Sequence, residues 1–158
     1  MSEELLARLE AESAIRRLVG LYCDAINRLE PKAAAALYAP DATIRIAGGP
    51  EIHGAEAIEA GMVLSLGNFD FLRMQCGISA IDVQGDRAQA RLLVFEATHK
   101  LGDGQMGLLW GVYEDRHVSL AQGWRFQRRD YTLQLRTMVP VAKMQQVEGL
   151  DLAFSFAP

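Results

Sequence analysis

An α+β fold, with helices first and a strongly curved, mostly antiparallel sheet after them, follows from three features of the chain. Apolar residues recur at three- and four-residue steps near the amino terminus. The pattern changes to alternation beyond Gly67. The alternating runs are separated by short glycine-containing turns.

Leu5, Leu6, Leu9, Ile15, Leu18, Val19, Tyr22 and Ile26 fall on one face of a helix running from Glu3 to about Ile26, and that face is expected to cover the sheet. Pro31 suits a first helical turn, the alanines after it have high propensity, and Ala39-Pro40 stops them. A short second helix is therefore read over 31–38, leading through Asp41 into a strand over 42–46. The turn Ala47-Gly48-Gly49-Pro50 precedes a third helix over 55–66, for which Gly67 serves as a left-handed cap. Four long strands follow over 72–83, 87–99, 106–118 and 124–139, joined at Gln84-Gly85-Asp86, Gly102-Asp103-Gly104 and Gln122-Gly123. Residues 1–142 thus form one domain. The tail over 143–158 carries Leu150, Leu152, Phe154 and Phe156 and is expected to close a pocket or to reach a neighbouring subunit.

With 158 residues, half of them hydrophobic, the chain can bury a core without staples. Its formal charge is −4 and its Lys and Arg are scattered, so neither nucleic acid nor an anionic membrane is expected as a partner. No stretch approaches the roughly 20 apolar residues that span a bilayer, and MSEELLARLEAES is acidic and amphipathic, which places the chain in the cytoplasm as an expectation. Cys23 and Cys76 are read as reduced thiols without metal spacing. There is no Gly-rich phosphate loop, no H-E-x-x-H and no G-x-S-x-G, so the expectation is chemistry with neither cofactor nor metal.

The segments AIRRLVGLYCDAIN, ALYAPDATI, IHGAEAI, IDVQGDRAQARL, GVYEDRHV and GWRFQRRDY, in that order, resemble the nuclear-transport-factor-2-like superfamily over roughly Ala14 to Tyr131. The resemblance is to its SnoaL-like, scytalone dehydratase and ketosteroid isomerase branch. It implies a cone-shaped barrel of curved sheet wrapped by three N-terminal helices, usually dimeric through the open sheet face. It implies activity only loosely, because such cones host dehydratases, isomerases, cyclases, dehydrochlorinases and binding proteins.

The same resemblance sets out candidate residues. Tyr22 is similar to the tyrosine that ketosteroid isomerases aim into the cone. Asn27 stands where many relatives carry an aspartate, Cys76 where scytalone dehydratase has one catalytic histidine, and Thr98 near the other. Ile46 replaces the isomerase general base. From the residues themselves, Glu96 shares strand parity with Ala88, Ala90, Leu92 and Val94, so an inward face would carry its carboxylate into the cone. There, desolvation would raise its pKa toward neutrality. His99 enters only if a bulge breaks the alternation. His53 and His117, the latter read as approaching a loop, rank below it. Arg73 or Asn27 could join Tyr22 in binding an oxyanion if turned inward, and Cys76 is read as an inert thiol. Trp110 and Tyr113 have opposite parity, while Trp124, Phe126, Arg128 and Asp130 are expected to share one face.

The functional expectation is a cofactor-independent lyase, such as a dehydratase, acting on a bulky hydroxylated aromatic or polycyclic molecule. Tyr22, Glu96 and His99 would be catalytic, with Asn27, Arg73, Cys76, Thr98, Trp110 and Tyr113 binding substrate. An isomerase or cyclase, or a non-catalytic binder of hydrophobic small molecules, is the alternative.

Overall fold

The computed structural model describes residues 2–143. Helix α1 (Glu3–Asn27) begins at Ser2, whose hydroxyl accepts the Leu5 amide at 3.3 Å, and places Glu3 and Glu4 at the positive end of its dipole. Helix α2 (Pro31–Ala35) is shorter than the alanine run suggests, because the chain passes directly into strand β1 (Tyr38–Ile46). After the short strand β2 (Glu51–His53), helix α3 (Ala55–Leu66) occupies the expected span. Gly67 ends it in a right-handed conformation (φ −62°), not a left-handed one. Asn68 supplies the missing donor, its side chain bonding the Leu64 carbonyl at 2.7 Å.

The long strands are β3 (Phe69–Gln84), β4 (Arg87–Lys100), β5 (Gln105–Leu120) and β6 (Gly123–Pro140). Gly85 turns between β3 and β4 at φ +61°, a conformation costly for a side chain with a Cβ. The six strands make one mixed, unclosed sheet in the order β2-β1-β6-β5-β4-β3. Every pairing is antiparallel except that of β1 with β6. The helices lie on one face, α1 against β3 and β6 and α3 against β1, and the core fills the space between.

Two further expectations change here. Only the second half of α1 covers the sheet, burying Ile15, Leu18, Val19, Tyr22, Ala25 and Ile26, while Leu5, Leu6 and Leu9 remain exposed on a helix that overhangs its support. In β6 the register slips at Gln127, with Arg116 opposite Arg128 but His117 opposite Phe126. This bulge reverses the alternation, so Phe126, Arg129 and Tyr131 all face inward and Arg128 and Asp130 face outward. The apolar tail beyond residue 143 lies outside the described residues.

Candidate functional site

Between the helices and the concave face of the sheet is a cavity of about 370 Å³. Aliphatic side chains from α1, β1, β2, α3 and β3 make most of its wall, among them Ile26, Ile44, Ile52, Ile58, Met62 and Leu72. The polar side chains are Ser65 on α3 and a group contributed by four elements: Tyr22 from α1, Glu96 from β4, Tyr113 from β5 and Tyr131 from β6. Other hollows on the outer sheet face are lined largely by charged side chains, several of them paired with one another, as in Arg91–Glu114 and Arg128–Asp130.

Glu96 is the only charged side chain on the cavity wall among the described residues. Strict alternation from Ala88 through Ala90, Leu92 and Val94 carries it inward. Burial raises its pKa above the usual carboxylate range, and the neighbouring Tyr131 phenol partly opposes that rise. The Tyr131 phenol is in turn pushed up, first by burial and then by the Glu96 charge. No aligned hydrogen bond joins the two, and the Tyr131 hydroxyl is buried without a partner among the described residues. A carboxyl poised to exchange a proton therefore stands beside an unspent donor.

Tyr22 and Tyr113 stand edge to face, with ring centres 6.4 Å apart. Burial raises both phenols, and Arg129 works in the opposite direction. They are therefore neutral donors, not bases. The Arg129 guanidinium lies 4.3 Å from the Tyr22 ring centre, 4.1 Å from that of Tyr113 and 4.0 Å from that of Phe126. Its charge is balanced by Asp115 through two bonds of 2.8 and 2.6 Å, with both residues buried. A fixed, fork-to-fork ion pair thus underlies the two phenols and holds their rings.

Of the residues expected at the site, Tyr22, Tyr113 and Glu96 reach the cavity wall and the others do not. His99 points away because β4 keeps its alternation. The irregularity falls on β3 at Asp70 instead, and the imidazole is held by the Asp70 carboxylate at 2.5 Å and the Asp103 carbonyl at 2.6 Å. Asn27 spends both ends of its amide on the Met74 backbone, donating at 3.1 Å and accepting at 2.6 Å, and so pins α1 to β3. Arg73 is outside, donating to the Asn27 and Leu72 carbonyls and stacking on Phe71. Cys76 packs beside the core on β3; contact with Cys23 and burial keep its thiol protonated. Thr98 sits opposite Gly107, and Trp110 turns to the outer face beside Phe95. Arg128 and Asp130 join Glu51 and Arg45 in a surface network. His53 is exposed, near Thr43 and Glu51.

Tyr131, Arg129, Asp115 and His117 are interior groups outside the expected set, although Asp115 and His117 share the strand parity of Tyr113. Alternation counted from Trp124 puts Arg129 and Tyr131 outside, and only the bulge at Gln127 brings them in. His117, expected near a loop, is buried in β5 with neither ring nitrogen hydrogen-bonded. Among the described residues no group of three or more His, Cys, Asp or Glu could hold a metal ion, and no helix is long and apolar enough to cross a membrane.

Residues 7–130 match the sequence profile of the SnoaL-like domain. An uncharacterised protein of Mycobacterium tuberculosis is 33% identical over 130 residues, which covers 80% of this chain and 84% of the relative. Among solved structures, a Novosphingobium aromaticivorans protein provisionally described as a scytalone dehydratase superposes with a TM-score of 0.76 at 21% identity. The match covers 99% of this chain and 100% of that one. The type-3 hexachlorocyclohexane dehydrochlorinase LinA of Novosphingobium barchaimii gives 0.74 at 17% identity, covering 91% and 99%. At these identities the likeness to the solved structures is one of fold.

Proposed function

The chain belongs to the SnoaL-like domain family, and on that footing we propose that it is a cofactor-independent lyase acting on a hydroxylated aromatic or polycyclic small molecule. The observation that carries the reading is Glu96, a carboxyl of raised pKa alone among apolar walls and facing three neutral phenols. Two structural neighbours provisionally described as dehydratases, and a dehydrochlorinase, support the reaction class.

In this reading a substrate carbonyl oxygen accepts hydrogen bonds from Tyr22 and Tyr113. Glu96, as carboxylate, takes the proton from the adjacent carbon, and the electron pair moves toward that oxygen. As the pair returns, the bond to the neighbouring hydroxyl breaks, and Glu96 gives its proton to the departing oxygen, which leaves as water. One carboxyl thus serves as base and then acid. A preorganised donor to the oxyanion contributes about 2.7–4 kcal/mol of transition-state stabilisation. At about 370 Å³ the cavity is near the small end of ligand pockets.

Delivery of the same proton to a different carbon would make the protein an isomerase. A binding role is favoured by a different observation: His99 is committed to Asp70 and the Asp103 carbonyl, so among the described residues no imidazole and no second carboxyl joins Glu96 on the cavity wall. Incubation with a panel of hydroxylated aromatic ketones, followed by ultraviolet absorbance, separates these readings. Newly conjugated product that disappears in Glu96→Gln supports the lyase. Rearranged product of unchanged mass supports the isomerase. Ligand-induced thermal stabilisation without turnover supports binding.

A homodimer through the outer sheet face belongs to the same proposal. Leu93, Phe95, Trp110 and Leu135 make an apolar band across three strands there, with Phe95 opposite Trp110 and Trp110 opposite Leu135. Light scattering should give twice the chain mass, and Trp110→Asp should halve it. A monomer mass for the unaltered protein would refute the dimer.

A further inference from the structure

We propose that Gly111 is a positioning residue of the site: its missing side chain lets the Tyr131 ring lie across β5, and that crossing sets the Tyr131 hydroxyl beside the Glu96 carboxyl.

Tyr131 belongs to β6 and Glu96 to β4, so β5 lies between them. Along β5, Gly111 faces Val94 on one side and Leu133 on the other. Leu109, two residues away, faces Glu96, and Tyr113, two residues the other way, faces Tyr131. The shortest path from the Tyr131 backbone to the Glu96 carboxyl therefore passes over Gly111. A Cβ placed on Gly111 would stand 2.7 Å from both Cζ and the hydroxyl oxygen of Tyr131, well inside the 3.5–4.0 Å at which carbon atoms rest in contact. The collision is with the far end of the phenol ring, the part that meets Glu96, and the three nearest atoms all belong to that side chain.

Backbone conformation does not explain this glycine, because Gly111 is not among the residues of positive φ. Nor does strand propensity, since glycine inside a strand weakens it and here marks a close approach. The register also shifts between Trp110 and Gly111, where Gln134 of β6 is left unpaired. What the position requires is empty space on its inner face.

The inference rests on reading Glu96 and Tyr131 as the reactive pair, but its test measures geometry and not turnover. Carbon-13 titration of the glutamate carboxyls in the full chain, with Glu96 assigned through Glu96→Gln, follows the carboxyl directly. Tyr131 holds the Glu96 titration down, so Tyr131→Leu should raise its midpoint. Gly111→Ala should raise it comparably by displacing the ring, and the double variant Gly111→Ala/Tyr131→Leu should match Tyr131→Leu alone. A folded Gly111→Ala protein with an unchanged Glu96 midpoint would overturn the proposal, as would an equal further rise in the Tyr131→Leu background. If Gly111→Ala alone does not fold, the double variant should, because leucine lacks the atoms that collide. A double variant that stays unfolded while Tyr131→Leu folds would also refute it. Failure of the unaltered protein to turn over any substrate would sink the lyase reading and leave this result standing.

Discussion

Replacing His117 with leucine should flatten the acid side of the protein's stability profile. The imidazole is buried in β5 with neither nitrogen hydrogen-bonded, Nε2 standing 4.0 Å from the Asp115 carboxylate. Burial lowers its pKa to about 4; the Asp115 carboxylate opposes the shift and the Arg129 guanidinium adds to it. In the unfolded chain the same group titrates near its ordinary value of 6.5. The folded value is the lower one, so the unfolded chain takes up the proton first. Stability is therefore full above pH 6.5 and falls as pH drops toward 4. The whole gap corresponds to about 3 kcal/mol at about 1.4 kcal/mol per unit. About 2 kcal/mol of this is lost by pH 5, a large share of the roughly 5–15 kcal/mol typical of a domain. Leucine has no proton to gain and leaves no unpaired nitrogen in the core. Urea unfolding at pH 7, 6 and 5 checks the reasoning: the leucine variant should lose about 2 kcal/mol less than the unaltered protein over that interval. Parallel declines in the two proteins would refute it.

Three further outcomes follow from the same interior. Glu96→Gln should unfold at higher urea than the unaltered protein at pH 8 and at equal urea near pH 4. The raised folded pKa makes the native state lose stability as pH climbs from the unfolded carboxylate value through the folded one, and glutamine has no charge to bury. Asp115→Asn should lower stability by about 3–5 kcal/mol in denaturant titration by leaving the Arg129 guanidinium buried without its counter-charge, whereas Asp115→Leu with Arg129→Met should cost clearly less. Asp70→Asn should lower the titration midpoint of His99 seen by proton NMR, since the Asp70 carboxylate and then the Asp103 carbonyl hold it up, and should leave the pH dependence of turnover unchanged, since the imidazole lies off the cavity wall.

Where one period runs unbroken, the alphabet of apolar and polar residues was enough. The face of β4 from Ala88 to Val94 placed Glu96 in the cavity and His99 outside unless a bulge intervened, and the bulge formed on β3 instead. Tyr22 followed from the helical stripe of α1 in the same way. Three things were not legible. Strand β2, Glu51–His53, is too short for alternation to register. Leu5 and Leu6 look like core because a helix face is read without knowing where the sheet beneath it ends. In β6, Gln127-Arg128-Arg129 offers no cue as to which residue is extra, so the inward turn of Arg129 and Tyr131 depends on pairing with β5 and is a property of two strands together. Asn27 shows a fourth kind of limit. Its place was read well enough, but an amide that bonds the Met74 backbone and one that faces a ligand look alike in a sequence.

The single parallel seam of the sheet orders events during synthesis. Strand β1 is made early, yet Thr43, Ile44, Arg45 and Ile46 find their partners at Arg128, Arg129, Asp130 and Tyr131, almost the last part of the sheet to leave the ribosome. The hairpins of β3 with β4 and β4 with β5 can zip as they emerge. Strand β1 joins the sheet only along β6, and such a long-range closure is slow compared with local pairing. A ribosome stalled before residue 131 would hold a half-open shell with its aliphatic lining exposed, a natural client for chaperones. The aliphatic wall and the carboxyl thus meet across the seam between β1 and β6, the longest closure in the sheet.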